Sequence, residues 1–357
     1  MPIRKRVCAA LLAAALLLCA ASCGSVKRTK ELSADLTQTQ VVLKSDIKTE
    51  PDFADFLLRF HAGFTVPGLL EGFIPQGICR DTAGKRYYIS GYYEDGKLPS
   101  AIAVLDGEGV LLSVHPLEDM EGHPSTEHAG GIAYCDGTLF ITGGGSCRTF
   151  SAAALKKDGG AVRPESNFAL NTAGSFAACD SNILWVGDFV ESDDKARRAV
   201  AEVTTLDSGE TFYAYCEGYK LENGLPSQEK INSDGTGYIP DYFLAIPEQV
   251  QGMGFTRSGG PVFSTSYGRR NNSVLLRFSD VLAGDKAGTK TVDGHSVDLF
   301  ACSADLLKET LTAPPMAEGM CSYNGQITLL FESGAAKYRS HGGKFPVDTV
   351  FTATYEE

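Results

Sequence analysis

Nine polar side chains in this 357-residue chain stand where chemistry could happen, each beside a short apolar run. Gln76, His128, Gln251 and Glu318 come just before such runs, and Tyr92, Asp188, Tyr267, Arg269 and Glu332 come just after them. Carboxylates brought close together can serve as general acid and base. The three here, Asp188, Glu318 and Glu332, offer hard oxygens that suit a divalent cation such as calcium. An arginine clamps an anionic group, and tyrosine presents a face for stacking with a hydroxyl for hydrogen bonding. These residues are scattered from position 76 to position 332, so only a fold that returns repeatedly to one place can gather them.

Such a fold is written in the repeats. Five stretches align on Gly77, Gly131, Ser175, Gly252 and Gly319: IPQGICRDTAGKRYYISGYYEDG, HAGGIAYCDGTLFITGGG, TAGSFAACDSNILWVGDFVE, VQGMGFTRSGGPVFSTSYGRRNN and MAEGMCSYNGQITLLFESGAAKYR. Each has a small residue, a strand of about six residues, a Gly/Asn/Asp turn and a second apolar strand. Asn324-Gly325 between two apolar runs is the strongest of these hairpin signals. Further strand-like runs follow the hairpins at Ala101 to Leu105, Val110 to Val114, Ala199 to Thr204, Thr211 to Tyr215, Val274 to Phe278 and Val297 to Ala301. Four strands per unit is the blade of a β-propeller. The fold class expected is therefore all-β, a single propeller of four-stranded blades, five in number with six as the alternative.

The anchors are separated by 54, 44, 77 and 67 residues, against roughly 40 to 50 for a propeller repeat. An inserted loop at 217–247, rich in Gly, Pro, Asn and Ser, accounts for part of the excess. Ser303 to Leu311 has helical composition and is expected to bridge blades four and five. Closure of the ring is expected from a strand near Gly63 to Val66 lying beside Asp348 to Thr354, which would protect an open sheet edge.

In a blade of this kind the starts of first strands and the ends of second strands converge around one mouth of the central channel. All nine residues named above belong to that set. The pocket so formed is expected to bind a small polar or glycan-like ligand. Two other functions fit the same residues: a metal-assisted hydrolase using Asp188, Glu318 and Glu332, and an interaction scaffold using the 217–247 insertion. No catalytic residue is assigned, and there is no GxSxG elbow. Of Arg269 and Arg270, adjacent in a turn, one is expected to face the channel. Gly143-Gly144-Gly145 lacks the lysine of a phosphate cradle and reads as a tight connection.

The N-terminus belongs to another system. Arg4, Lys5 and Arg6, an apolar run from Val7 to Leu18 and the small residues Ala20-Ala21-Ser22 have the order of a secretory signal over residues 1–22. The ending LCAASC resembles a bacterial lipoprotein box, which implies lipid on Cys23 and an extracytoplasmic, membrane-anchored protein; Ala20 stands where that box favours leucine. Residues 23–52 read as a polar spacer and 53–357 as the propeller domain. The net charge of −12 becomes about −15 once the three basic residues are removed. With no basic face to displace counterions from phosphates, nucleic acid is excluded as a partner, and a monomer is expected. Seven cysteines beyond Cys23 make an odd set without zinc spacing. Cys79, Cys135, Cys179 and Cys321 share one parity after the anchors and are expected to be buried, inert thiols.

The phrases FIPQGI, VQGMGF with TSYGR, and MAEGM with FESGAAKY resemble secreted propellers of Gram-positive bacteria, within the broader NHL, gluconolactonase-like and strictosidine-synthase-like propellers. That resemblance implies a channel where acidic and amide residues hold a metal. Glu318 matches this pattern, whereas Gln76, Gly130 and Gly174 stand where acids would be wanted.

Overall fold

A computed structural model describes residues 35–43, 45–191, 203–340 and 342–355. The signal segment, Cys23, and most of the expected strand Ala199 to Thr204 lie outside the described residues. Among those described, no helix is long and apolar enough to cross a membrane.

The chain is a β-propeller. Among the described residues there are four four-stranded sheets, one seven-stranded sheet and a separate two-stranded one, and the five inner strands of the larger sheets touch in sequence to close a ring. Blade one is Phe73–Arg80, Arg86–Tyr93, Ala101–Asp106 and Leu111–Pro116; blade two is Gly131–Cys135, Thr138–Gly143, Ser146–Ser151 and Ser166–Ala169. Blade four is Val250–Phe255, Pro261–Thr265, Ser273–Phe278 and Leu307–Ala313. Blade five takes Ala317–Tyr323, Gln326–Phe331 and Thr349–Thr354 from the C-terminus and its outermost strand, His61–Thr65, from the N-terminus.

The glycine anchors are explained by how closely the inner strands approach. A Cβ on Gly77 would lie 2.7 Å from Ile132 N, on Gly252 2.6 Å from Glu318 O, and on Gly319 2.5 Å from Gln76 O, in each case backbone of the next blade. Gly131 faces Ala177 N of blade three in the same way. Opposite two of these glycines a serine hydroxyl crosses the same gap: Ser90 donates to Ala129 O at 3.1 Å and Ser264 to Glu318 O at 2.7 Å.

Several expectations are corrected. The 217–247 segment is not an insertion outside the sheet, because Ala214–Glu222 and Tyr242–Ile246 are the third and fourth strands of blade three after Phe176–Asp180 and Ile183–Gly187. The expected run Thr211 to Tyr215 is divided: Thr211–Phe212 pairs with Thr204–Thr205 in a two-stranded sheet outside the blade, and the third strand of blade three starts at Ala214. Val297 to Ala301 does not belong to blade four either: His295–Ala301 pairs in parallel with Tyr242–Ile246 and, with Gly288–Val292, widens blade three. Ser303 to Leu311 is a short 3-10 turn, Ala304–Leu306, leading into the outer strand of blade four.

The spacer also differs. Residues 35–43 are strapped across the junction of blades five and one, with Leu36 and Val41 buried. Gln38 Nε2 donates to Thr65 O at 2.7 Å, its Oε1 accepts from Leu111 N at 2.9 Å, and Val41 N donates to Asp348 Oδ2 at 3.1 Å. The helix Ala54–Arg59 then lays Phe56 on Phe331 and Phe351.

Cys135 and Cys179 are not separate thiols but a disulfide with Cα atoms 6.1 Å apart, joining the inner strands of blades two and three. Cys135 shares the parity of Gly131, which faces blade three, so its sulfur is aimed at the neighbouring strand. Cys79 and Cys321 remain free and buried, and burial pushes both thiols up, Cys321 to about 12.

Candidate functional site

Three candidate residues owe their position to the same backbone device. The inner-strand register shifts between Pro75 and Gly77, between Val250 and Gly252, and between Ala317 and Met320. Gln76, Gln251 and Glu318 are the residues at these bulges, where an extra residue re-aims a side chain out of the ladder alternation. Blades four, five and one are consecutive around the ring, so the three converge on one side of the channel mouth. The motif is legible as PQG, VQG and AEG; blades two and three have GGI and GSF and show no such shift.

Glu318, in the first strand of blade five, and Glu332, directly after its second strand, are both buried, with 5% and 9% of their surface exposed. They are hydrogen-bonded to each other. Gln251 Nε2 donates to Glu318 Oε1 at 3.2 Å and Gln76 Nε2 to Glu332 Oε2 at 3.0 Å, giving a line Gln251, Glu318, Glu332, Gln76 across three blades. Burial drives the Glu318 carboxyl well above its usual range, and the neighbouring Glu332 charge drives it further. Burial also raises Glu332, although its hydrogen bonds to Glu318, Tyr338 and Gln76 pull the other way. Burial therefore favours the protonated form of both carboxyls, and the two titrate as one interacting pair.

Beside this pair stands a residue that sequence reasoning missed. Tyr338, on the short helix Ala336–Ser340 in the connection between the second and third strands of blade five, lines the cavity with Glu332 and stands near enough to Glu332 and Tyr92 to shift the titration of both. Arg269 lies over its ring, 5.0 Å from the centroid, and Lys337 Nζ is 5.3 Å from the same ring and 5.8 Å from that of Tyr92. His128 packs on Tyr92 with centroids 4.8 Å apart, and burial together with Lys337 depresses its basicity. The available signal for Tyr338 and Lys337 was their placement in a long connection on the mouth side.

A cavity of about 220 Å³ opens above the pair, lined by Gln251, Tyr267, Arg269, Glu318, Glu332 and Tyr338 with Phe189, Ser266, Gly268 and Met316. Tyr267 is 42% exposed at its rim. Arg270 turns away to donate to Gly342 O at 3.1 Å. Gln76 reaches the site through Glu332, and Tyr92 and His128 through Tyr338.

Asp188 does not line the cavity; its carboxylate accepts from Ala173 N at 2.5 Å, beside the second strand of blade three. The trio Asp188, Glu318 and Glu332 is thus not gathered, and among the described residues no three His, Cys, Asp or Glu side chains group as metal ligands. Two carboxyls flanked by two amides whose nitrogens point at them fall short of the six to eight oxygens calcium takes. The residues present do not fit the expected cation.

The pair has a stability signature. A carboxyl raised in the folded state contributes fully below its unfolded value near 4.5, and that contribution is lost as pH rises through the folded value. Every tenfold gain in proton affinity on folding corresponds to about 1.4 kcal/mol. Glu318→Gln keeps an oxygen for Gln251 and a donor for Glu332 without titrating. Melting curves are expected to coincide at pH 4 to 5 and to favour the variant at pH 8; parallel curves would refute the raised titration of the pair.

No protein-family model matches the chain, and no curated protein does either. Among solved structures it is similar to a glutaminyl cyclase from Myxococcus xanthus, 11% identical with a TM-score of 0.40 over 83% of this chain and 95% of that one. It is similar also to the PQQ-bound aldose sugar dehydrogenase from Streptomyces coelicolor, 11% identical, TM-score 0.37, over 83% and 97% of the two chains. A third similar structure is BamB from Moraxella catarrhalis, 9% identical, TM-score 0.35, over 83% and 91%.

Proposed function

We propose that this propeller binds a small polar, glycan-like ligand at the channel mouth. The observation that carries the reading is the buried line Gln251, Glu318, Glu332, Gln76 beneath a cavity of about 220 Å³. Sugar hydroxyls donate and accept at once, which matches a floor of alternating amides and carboxyls. The half-exposed Tyr267 supplies a stacking wall. The volume is below the roughly 300 to 1,000 Å³ of drug-sized pockets, so the ligand is about one sugar ring.

Binding is favoured over hydrolysis by the carboxyl pair itself. Retaining glycosidases hold their carboxyls about 5 to 5.5 Å apart and inverting ones further, whereas Glu318 and Glu332 are directly hydrogen-bonded. Scaffolding through 217–247 loses its main support because much of that segment is sheet. The ligand is met outside the cytoplasm, by a monomer tethered through lipid on Cys23. The signal-like leader supports this location, and so does the Cys135–Cys179 disulfide, since such bonds persist in oxidising compartments.

Calorimetric titration with a panel of monosaccharides tests the reading. At least one is expected to bind, and Tyr267→Ala to weaken it about tenfold, the worth of one aromatic contact. Absence of binding heat across the panel, with the protein folded, would sink it.

A further inference from the structure

Resting on the glycan reading, we infer that the mouth takes the end of a glycan chain, with one terminal sugar in the cavity and the rest of the chain leaving over the rim at Tyr267. Two features carry this. First, the cavity has no way through. Below its floor, further along the inner strands of blades one, two and five, Ile78, Ile132 and Met320 are only 1 to 2% exposed. The gap left among them, lined also by Ala133, Ala177 and Cys179, measures about 20 Å³, room for about one water. The close approach of the strands sets that limit, since a Cβ on Gly319 would already stand 2.5 Å from Gln76 O. A chain cannot thread this ring, so whatever enters at the mouth must stop at the floor.

Second, the cavity is one ring deep and walled by connections from three blades. Phe189 follows the second strand of blade three, Tyr267 leaves that of blade four, and Tyr338 stands after that of blade five. At about 220 Å³ the space falls below the roughly 300 Å³ at which drug-sized pockets begin, so a second linked ring stays outside. An internal segment of a glycan has a neighbour on each side of the seated ring and needs a groove running across the mouth. A terminal sugar has one neighbour and needs one exit. The rim at that exit is preformed, because Asn271 Nδ2 donates to Tyr267 O at 2.9 Å and fixes the turn that carries the tyrosine. Its half-exposed ring then lies where the chain would emerge.

The experiment titrates the full chain by calorimetry with glucose, xylose, galactose and mannose and with their linear oligosaccharides of two, three and six units. Maltohexaose is set against α-cyclodextrin, which closes the same six glucoses into a ring without ends. In at least one series the affinity per mole of chain is expected to change by less than about threefold from two units to six. If that series is the glucose one, α-cyclodextrin should give no binding heat. Affinity that climbs more than about tenfold between two and six units would overturn the inference, since internal sugars would then be in contact. So would α-cyclodextrin binding as tightly as maltohexaose, or a monosaccharide that binds while none of its oligosaccharides does. Each of those results leaves the glycan reading standing. If no saccharide of any length binds to the folded protein, both readings fall together.

Discussion

Gly319→Val is expected to cost about 3 kcal/mol, a fall in melting temperature of roughly 4 °C for a chain of this size. A Cβ at this position would lie 2.5 Å from Gln76 O, 2.7 Å from Gly77 Cα and 2.9 Å from Ile78 N. All three are backbone atoms of blade one's inner strand, which cannot swing aside as a side chain would. The substitution must separate blades five and one, or tilt a strand whose bulge holds Gln76 against Glu332. Gly254→Ala makes the comparison. It lies in an inner strand too, but its Cβ would meet only Ile327 Cδ1 and the Met320 thioether, at 3.0 to 3.3 Å, and the loss there should stay below about 1 kcal/mol. Equal losses in urea unfolding would show that the inner-strand approach is not the source of the effect.

Glu217→Leu is expected to cost more, about 3 to 5 kcal/mol. Glu217 is fully buried, and its carboxyl oxygens accept from Asn171 N at 3.1 and 3.2 Å, Asn171 Nδ2 at 2.8 Å, Thr172 N at 3.2 Å and Thr172 Oγ1 at 2.9 Å. Asn171 and Thr172 form the crossing from the outer strand of blade two to the inner strand of blade three. Leucine fills the volume but removes the acceptor of the Asn171 and Thr172 backbone N–H groups, and Thr172 is buried, where an unsatisfied donor costs about 1 to 3 kcal/mol. Burial raises the Glu217 carboxyl against the pull of these bonds, so its contribution is complete at low pH and shrinks as pH rises through the folded value. The gap between wild type and variant should accordingly narrow from pH 5 towards pH 8. A loss under about 1 kcal/mol in urea titration would mean that the crossing is held by other contacts.

How much of this was legible follows from the physics of each signal. Turns were, because a tight hairpin demands residues that tolerate positive φ: Asn324 and Gly325 sit at 51° and 78°, and Asp136 and Gly137 at 44° and 85°. The glycine anchors were legible as a repeat, though only the packed ring gives their reason. Blade three was misread at Gly218, which looks like a strand breaker in sequence. In the fold it is a strand residue left bare because the Trp185 ring lies on it, 2.7 Å from where a Cβ would be. In Ser303 to Leu311 the helical composition hid an alternation: Leu307, Glu309 and Leu311 are less exposed than Lys308 and Thr310 between them. At the site, bulge residues could be listed from the PQG, VQG and AEG pattern. Their pairing could not, since hydrogen bonds between Gln76 and Glu332 span 256 positions. Tyr338 was legible only as part of a long connection on the mouth side, because nothing local in AAKYRS says which way its short helix will point.

Blade five is assembled from both ends of the domain, with His61–Thr65 as the outer partner of Thr349–Thr354. During synthesis the first of these strands leaves the ribosome early and its partner among the last residues made, so the ring stays an open crescent until translation is nearly complete. Until then blade five lacks a strand, and the unpaired edge of Gln326–Phe331 is available to other chains. The strap from residue 35 to 43 and the helix Ala54–Arg59 then act as a latch, gripping Asp348, Phe331 and Phe351 once they arrive. A chain interrupted even a few residues short of Thr349 would lose its means of becoming a ring.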